Sequence, residues 1–421
     1  MSDVRRSIAT LLSAAGLLLM GNGLLVTLLP LRAGIEGFST TQIGVMGTAF
    51  FAGFALGCLI GPRILIRVGH IRAFAGFAAL CAVSILIFDL WPHPLGWMAL
   101  RGLNGLFFAV LFMVIESWLN EQASNEMRGR ILSIYIITAN LVTMAGQLMV
   151  NLAPAEGYVL FTLTAILAAL SLVPLSLADT ASPKPVETSK LGILSLYRLS
   201  PTGFVGCFII GLVEGAFWSL GPVFAQDRAM NLAEVTFFMA AFVAGGTLSQ
   251  WPLGRWSDHT DRRIVIAVAG SGTVVTGLLL AFAPLGSWSL ALVIAMLHGA
   301  FMIPLYPLCL AHANDYAPRE ALVETSSGLL LVYAGGAVLG PATAGVAMDL
   351  AAPGYLFVFI AVLLGSLSVY CVFRMRLRPV AGDEERAEFV ALPRTTQSLY
   401  GLEEDLPEER PSPDAATTPL D

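Results

Sequence analysis

The chain has 421 residues, of which 56% are hydrophobic and only 12% are charged, and its mean hydropathy is +0.77. Soluble domains carry about 25% charged residues, so the composition excludes an ordinary soluble enzyme or binding module. The formal net charge of −6 does not describe the apolar part of the chain, because the acids are concentrated after Pro379. All five cysteines lie in apolar stretches, which is typical of packing residues and not of a disulfide framework or a metal site.

Twelve apolar stretches are long enough to cross the ~30 Å hydrocarbon core of a bilayer as helices, which takes about 20 residues each. Their hydrophobicity is continuous rather than alternating, which excludes a membrane β-barrel. The first stretch is too long for the core of a cleavable signal peptide and is interpreted as a retained helix. The predicted spans, numbered 1 to 12 in chain order, cover approximately residues 8–31, 41–62, 72–91, 95–118, 130–152, 157–178, 203–225, 233–254, 263–284, 287–311, 321–349 and 355–374. The sequence therefore predicts an all-α polytopic membrane protein.

Basic residues are distributed unevenly between the two sides of this predicted bundle. With the N-terminus inside, seventeen arginines and lysines fall on the cytoplasmic side, and only Arg32, Arg101 and Arg228 fall outside or near the outer end of a span. This bias is the positive-inside signature. It predicts a multi-pass protein of the plasma (inner) membrane whose N- and C-termini are both cytoplasmic.

Span 4 carries two ionisable residues, Arg101 and Glu116, fifteen positions apart. On a helix this spacing leaves them about 60° apart around the axis. Charges within a membrane are costly and commonly face an interior cavity, so both are candidates for proton or substrate binding. The alternatives are that Arg101 snorkels to the outer surface and that Glu116 pairs with Arg128 or Arg130.

Span 5 contains a polar stripe, in which Asn140, Thr143 and Gln147 are spaced i, i+3 and i+7. Such a stripe either bonds one helix to another or contacts a substrate if it faces a cavity. Asn140 and Gln147 are therefore candidate substrate residues.

Glu214 lies near the middle of span 7, one helical turn before Trp218. Residues at this spacing share a helix face. We expect Glu214 to face a central cavity and to carry a proton or balance a cation, with Trp218 beside it. The alternative is a protonated glutamate that is hydrogen-bonded to a neighbouring helix.

Span 10 contains a single histidine, His298, without a metal-ligand companion at i±3 or i±4. Packing and a proton-relay role both remain open for it. Further along this span, Tyr306 lies between Pro304 and Pro307, and because proline removes a helical hydrogen bond, we expect a bend there.

A cluster of charges separates spans 8 and 9 in the stretch "WPLGRWSDHTDRRIV", Trp251–Val265. Gly254 is expected to make a tight loop, and Asp258 to accept hydrogen bonds from the N–H groups of a neighbouring helix start, near Gly129–Ile131. Arg262 and Arg263 are expected to hold acids such as Asp315. These contacts predict a conformational latch; the alternative is positive-inside charge with an incidental aspartate.

The two halves of the chain resemble each other at an offset of about 192 residues. "GNGLLVTLLPL", Gly21–Leu31, aligns with "VEGAFWSLGPV", Val213–Val223, which places Asn22 opposite Glu214 and makes Asn22 a further candidate. Six helices plus six is the architecture of one large transporter class. The expected organisation is an N-terminal six-helix bundle over 1–178, a cytoplasmic linker over 179–200, a C-terminal six-helix bundle over 201–376 and a disordered acidic tail over 377–421.

Three motifs resemble those of the major facilitator superfamily. The 254–263 stretch is similar to the loop signature G-x-x-x-D-R-x-G-R-R, with histidine and aspartate replacing the first arginine and the second glycine. "RGLNG", which begins at Arg101, is similar to the start of the span 4 signature of many proton-linked members. "GGAVLGPATAG" resembles a Gly/Pro-rich signature, although it lies in span 11 rather than span 5. "ESWLNEQASNEMRGRILSIY" and "LLLVYAGGAVLGP" are similar to the YcaD-like branch.

This resemblance implies a secondary active transporter that moves a small molecule by alternating access, expected to be proton-coupled and to export amphiphilic compounds. A proton-linked nutrient importer and a non-transporting receptor or scaffold on the same fold are the alternatives. No G-x-x-x-x-G-K-[ST], G-x-S-x-G or H-E-x-x-H motif is present, so neither an ATP-driven pump nor an enzyme is expected. We expect the small molecule, protons and lipid as partners, no nucleic acid, cofactor or metal, and a monomer.

Overall fold

The computed structural model describes residues 2–122, 128–176, 192–284, 288–318 and 321–377, without the side chains of 2–7, 120–122, 128–130, 132, 193 and 323. Within these ranges the chain forms helices and no strand. The helices are α1 (Ser2–Ile35), α2 (Thr40–Val68), α3 (His70–Leu90), α4 (Pro94–Gln122), α5 (Arg128–Leu148), a 3₁₀ turn (Met149–Leu152), α6 (Val159–Leu170), α7 (Leu172–Ser176), α8 (Ile193–Leu199), α9 (Pro201–Asp227), α10 (Leu232–Asp258), α11 (Arg262–Phe282), α12 (Trp288–Met302), α13 (Leu305–Asn314), α14 (Leu322–Leu350) and α15 (Tyr355–Leu377).

The described residues contain twelve helical segments that are long and apolar enough to cross a membrane, which confirms the predicted number. The sixth combines α6 with α7, and the tenth combines α12 with α13. The break in the tenth lies at Pro304, where the sequence predicts a bend. We call α1–α7 the N-terminal half and α9–α15 the C-terminal half.

Matching helix starts show the internal repeat directly. Ser39 caps α2 in a capping box with Gln42, and Asn231 caps α10 in a capping box with Glu234. Each box satisfies N–H groups that the first helical turn leaves open. The two boxes are 192 residues apart, the offset found in the sequence, so the same local chemistry starts the second span of each half.

Close helix packing repeats in the same way. Gly53 of α2 and Gly105 of α4 lie so near the facing helix that an added Cβ would collide with a backbone carbonyl oxygen, and Gly245 of α10 and Gly299 of α12 do the same in the C-terminal half. Small residues at such positions allow membrane helices to approach closely. These pairs fix α2 against α4 and α10 against α12, and thereby fix which faces remain for a central cavity.

The expected linker, 179–200, is only partly within the description. Residues 179–191 and 378–421 lie outside the described residues, so the linker as a whole, the acidic tail and the domain boundaries stay predictions. The last part of the linker forms α8, whose Leu196 is buried against Gly328 of α14. From the sequence this segment is expected to be only a polar connection, because the apolar residues of so short a helix fall below the length of any predicted span.

The two halves touch at one end of the bundle, which we call the Asp349 end after the last turn of α14. There Asp349 Oδ1 accepts a hydrogen bond from Thr40 N (3.1 Å), and Asp349 Oδ2 accepts one from Thr41 N (2.8 Å). Asn151 Nδ2 donates to Thr236 Oγ1 across the other seam (2.7 Å). A carboxylate at the first two N–H groups of α2 also interacts favourably with the helix dipole. These contacts close the Asp349 end.

Candidate functional site

A cavity of about 300 Å³ lies between the two halves. Its wall is formed mainly by α1, α2, α4 and α5 from the N-terminal half and by α9, α10 and α14 from the C-terminal half. Four of the residues singled out from the sequence meet on this wall, although they come from four different helices: Asn22, Arg101, Asn140 and Trp218. The structure therefore brings together half of the predicted proton and substrate candidates.

Most of the wall is apolar, and the N-terminal half contributes a cluster of phenylalanines. Phe50, Phe54 and Phe112 line the cavity, with ring centroids 6.2 Å apart for Phe50 and Phe54 and 6.3 Å apart for Phe54 and Phe112. The Arg101 guanidinium lies 4.2 Å from the centroid of the Phe50 ring, within the range of a cation–π contact. Arg101 is only 8% exposed, so it faces the interior as predicted and does not snorkel.

Glu214 departs from its predicted position. It is 1% exposed, and the described wall of the cavity contains Tyr333 instead. Tyr333 Oη donates a hydrogen bond to Glu214 Oε2 (2.8 Å). The reason is packing: Gly211 and Gly215, on the same side of α9, lie against the α14 backbone, so Glu214 points towards α14. The expectation of a directly cavity-facing carboxylate is wrong, and Tyr333 connects Glu214 to the cavity.

Tyr333 itself is supported from behind by the bent tenth span. Its ring packs edge to face with Tyr306, with centroids 5.0 Å apart, and Tyr306 is fully buried in the first turn of α13, directly after Pro304. The proline-induced break thus places one tyrosine behind the other. Both rings are held by packing, so the Tyr333 hydroxyl is fixed against the carboxylate.

Gln147 and Glu116 lie away from the cavity wall, contrary to their interpretation as candidates. Asn140 lies on the wall, but Gln147, at the other end of the polar stripe, is fully buried. The reason is that Gly146 lets α5 pack against the α1 backbone near Met20, so that α1 covers Gln147. Glu116 is also buried and accepts a hydrogen bond from Tyr135 Oη (3.2 Å). The side chains of its two expected basic partners lie outside the described residues.

His298 is enclosed by aromatic rings on the outer side of Phe217. Its Nδ1 lies 2.9 Å from Thr276 Oγ1, and its ring packs edge to face with Phe357 at 5.1 Å. It is fully buried and is not one of the described wall residues. Of the two interpretations that the sequence left open, this environment favours packing.

The charged stretch between α10 and α11 forms a network within the C-terminal half. Arg262 Nε donates to Asp315 Oδ2 (2.8 Å), and Arg262 Nη1 donates to Asp258 Oδ1 (3.1 Å) and to Ser257 Oγ (3.0 Å). The expected contact between Arg262 and Asp315 is confirmed. The expected contact of Asp258 with Gly129–Ile131 falls on a stretch whose description is incomplete, so the latch between the halves stays a prediction. We call this region the Arg262 end.

Arg263 and Asp261 form a second pair in the same turn. Asp261 caps α11, accepting from the Arg263 backbone N–H (3.0 Å) and from Arg263 Nη2 (2.8 Å), and Arg263 Nη1 reaches the Arg374 carbonyl oxygen of α15 (3.1 Å). Burial raises the pKa of Asp261, but the hydrogen bonds and charge of Arg263 outweigh it and hold that pKa below the usual range. The pair therefore stabilises the fold at neutral pH, and this contribution is lost as the pH falls through the lowered pKa.

The loop between α10 and α11 has a first copy between α2 and α3, 192 residues earlier, and the two loops make their turns by different means. Gly254 was expected in the loop, but it is buried inside α10, which continues to Asp258, so the cap at Asp261 supplies the turn instead. In the first copy the turn is made by Gly69, whose φ of +81° is a conformation that favours glycine. Ile66, at the position of Asp258, is 64% exposed. The first copy therefore has no counterpart of Asp258, one of the two acids that contact Arg262.

Several positions at the candidate site and between the halves do not stand out from the sequence. Gln250, Ser219 and the phenylalanines of α2 lie on the wall, and Asp349 joins the halves. Gln250 had a usable signal, since it is an amide inside a predicted span. Asp349 had none: an acid at a span end is ordinary, and its partners at Thr40 and Thr41 are about 310 residues away in sequence.

Comparison with known proteins agrees with this architecture. The sequence profile described as Major Facilitator Superfamily matches residues 11–213 and, in a second match, residues 203–403. The chain belongs to the major facilitator superfamily. It is 30% identical over 367 residues to an uncharacterised MFS-type transporter, YcaD, of Escherichia coli O45:K1, which covers 86% of this chain and 94% of that protein.

Solved structures of low sequence identity share the fold. The nucleoside transporter NupG superposes with a TM-score of 0.72 at 13% identity, covering 88% of this chain and 98% of NupG. A bacterial homologue of the human lysosomal transporter Spinster, in an inward-facing and occupied conformation, gives a TM-score of 0.73 at 13% identity, covering 90% of this chain and 97% of the homologue. These structures show the fold, while the family match, the YcaD relative and the twelve apolar helices support a multi-pass membrane protein of this transporter family.

Proposed function

We propose that this protein is a proton-coupled secondary active transporter that exports a small amphiphilic organic solute. The observation that carries the proposal is the cavity between the halves, in which phenylalanines and Trp218 surround a few polar groups. Ligand sites are commonly apolar clefts with a small number of placed polar side chains. A solute with an apolar body and one polar group fits such a wall.

The contacts between the halves support alternating access. The hydrogen bonds between described residues of the two halves lie at the Asp349 end and in the adjoining turns, as at Thr40, Thr48 and Asn151. With the orientation proposed from the positive-inside bias, the Asp349 end is extracellular. A cavity closed on that side exchanges its solute with the cytoplasm, and in the proposed exporter this is the state that takes the solute up.

Proton coupling is assigned to Glu214 and Tyr333. A carboxylate buried in a span can exchange a proton only if a polar group connects it to water, and Tyr333 does so by lining the cavity while it donates to Glu214. Protonation of Glu214 removes the charge that this hydrogen bond stabilises. The neutral carboxyl group still accepts this hydrogen bond but more weakly, so the Tyr333 side chain is held less tightly beside the solute.

The proposal is tested by flux in proteoliposomes. Vesicles are loaded with a pH-sensitive dye, and gradients of naphthalene derivatives bearing an amide, an amine or a carboxylate are applied in turn. We expect at least one gradient to drive proton movement in the opposite direction, and an imposed pH gradient to drive that solute. If no derivative moves with the protein present faster than in empty vesicles, the proposed function is wrong.

Removing the carboxylate that joins the halves should shift the conformational equilibrium. In Asp349→Asn the ionic hydrogen bonds to the start of α2 are weakened only in the state closed at the Asp349 end. Because Asp349 is exposed, we expect about 1 kcal/mol, which is about fivefold in population towards opening of that end. Spin labels at Leu90 and Trp288, which are exposed on opposite halves at this end, report the change as longer distances.

Asp89→Asn is the matched control for this experiment. Asp89 also lies at the Asp349 end, but its described partner is Arg32 of the same half (3.9 Å). It should leave the distance distribution unchanged. Equal shifts in both variants, or none in Asp349→Asn, would show that the Asp349 contact does not hold the halves together.

A further inference from the structure

Arg101 is a buried cation without a described counter-charge. It is 8% exposed and lines the cavity, no acid of the described residues lies within ion-pair distance, and its Nη1 makes no hydrogen bond to a described residue. It lies over the face of the Phe50 ring. A guanidinium has five N–H donors, and contact with an aromatic face uses none of them.

Such a residue is costly in a membrane protein unless something in the cavity satisfies it. Taking an ion out of water costs several kcal/mol, which a partner of opposite charge offsets. Intramembrane charges therefore commonly mark substrate pathways. Guanidinium binds carboxylate and related oxyanions through two parallel hydrogen bonds. No described acid makes this pair of hydrogen bonds with Arg101.

The rest of the wall decides the sign and size of the ligand's charge. No aspartate or glutamate occurs among the described wall residues, whose other polar groups are amides, hydroxyls and the Trp218 indole. Glu214 is separated from the cavity by Tyr333. The wall therefore carries one positive charge, which attracts a monoanion and disfavours a cation.

We infer that the cavity binds organic monoanions, with the anionic oxygens on Arg101 and the apolar body against Phe54 and Phe112. This inference rests on the proposed function, since it names the chemical class of the solute that the cavity takes. Phe54 lies beside Phe50, which carries the Arg101 contact, and Phe112 lies beyond Phe54. An aromatic body attached directly to a carboxylate or sulfonate therefore reaches Phe54, and a longer apolar body continues to Phe112.

The test compares ligands of one shape and three charges. The full chain in lipid nanodiscs is titrated by calorimetry with naphthoate, naphthamide and naphthylmethylamine at neutral pH, with empty nanodiscs as the blank. We expect naphthoate to bind at least about tenfold more tightly than naphthamide, as a charged hydrogen-bonded pair allows. The protonated amine should bind most weakly of the three.

Variants identify the residue responsible. Arg101→Gln should bring the naphthoate-to-naphthamide ratio to about one, and Arg101→Lys should keep naphthoate preferred, because the charge remains. Arg255→Gln, at an exposed arginine outside the cavity, should leave the ratio unchanged. Thermal unfolding curves confirm that each variant is folded.

Three results would overturn the inference: naphthamide or the amine binding wild-type protein as tightly as naphthoate, an unchanged ratio in folded Arg101→Gln, or no saturable binding of naphthoate at about 1 mM. Even if Arg101→Gln does not fold, measurements on the wild-type protein alone decide two of these results: the order of affinities among the three ligands, and whether naphthoate binds at all. Binding requires no gradient, so a protein that prefers the anion but moves no solute would contradict the proposed function and leave this inference standing.

Discussion

Replacing Arg262 with glutamine is expected to lower the free energy of unfolding by about 3–5 kcal/mol, because removing one member of a buried ion pair leaves the other charge uncompensated. The side chains of Arg262 and Asp315 are 1% and 4% exposed, and their atoms Nε and Oδ2 are 2.8 Å apart. The pair joins the start of α11 to the end of α13. Thermal unfolding of the purified protein in detergent should show a lower Tm.

Arg255→Gln is the control, since this exposed arginine at the end of α10 contacts mainly the Trp251 ring, 5.6 Å away. It should change the free energy of unfolding by no more than about 0.5 kcal/mol. The combined variant Arg262→Gln with Asp315→Asn should be less destabilised than the sum of its parts, as expected for residues in contact. Additive losses, or an unchanged Tm in Arg262→Gln, would contradict the assignment.

The same network bears on the latch predicted from the sequence. Asp258 is 27% exposed at its side chain and shares Arg262 with the far better buried Asp315. Asp315 therefore carries most of the structural role.

Asp258 remains the residue suited to an exchangeable contact, because a partly exposed carboxylate changes partners at small cost. We expect Asp258→Asn to leave the Tm nearly unchanged, and we predict that it shifts the conformational population in cysteine-accessibility measurements.

Much of the fold could be predicted because membrane helices follow local rules. Continuous apolar runs predict spans without any knowledge of their neighbours, and the helix-starting patterns at Ser39 and Asn231 are visible in four residues each. The repeat also places Gly23 opposite Gly215, 192 residues apart in the sequence. Their structural meaning is close backbone approach, as at Gly23 against Thr143 and Gly215 against Ala337.

The site was less predictable because a side chain's direction depends on which helix lies beside it. Arg101 and Glu214 are both charges within predicted spans, yet one reaches the cavity and the other points at Tyr333. The difference lies in the glycines on the Glu214 side of α9, which draw α14 against that face. Glycines at 211 and 215, flanking an acid, were a signal that this face packs against a helix.

Glu214→Gln should uncouple transport from the proton gradient. Glutamine keeps the shape and still accepts a hydrogen bond from Tyr333, but it cannot take up and release a proton. We therefore expect solute exchange without a gradient to continue, while transport driven by an imposed pH gradient falls by at least about 100-fold, the range typical of a lost proton-transfer group. Both are measured in the same proteoliposomes, with a pH-sensitive dye inside and a labelled solute outside.

Glu116→Gln provides a matched control, because Glu116 is equally buried and also accepts from a tyrosine, at 3.2 Å compared with 2.8 Å for Glu214. Tyr333 lines the cavity, whereas Tyr135 is not among its described wall residues. If access through the tyrosine is what makes a buried carboxylate a carrier, only Glu214→Gln loses the gradient-driven component. Tyr333→Phe should slow it as well, because the connecting hydroxyl is gone. Full gradient-driven transport in Glu214→Gln would remove Glu214 from the mechanism, and loss of coupling in Glu116→Gln alone would transfer the role to the N-terminal half.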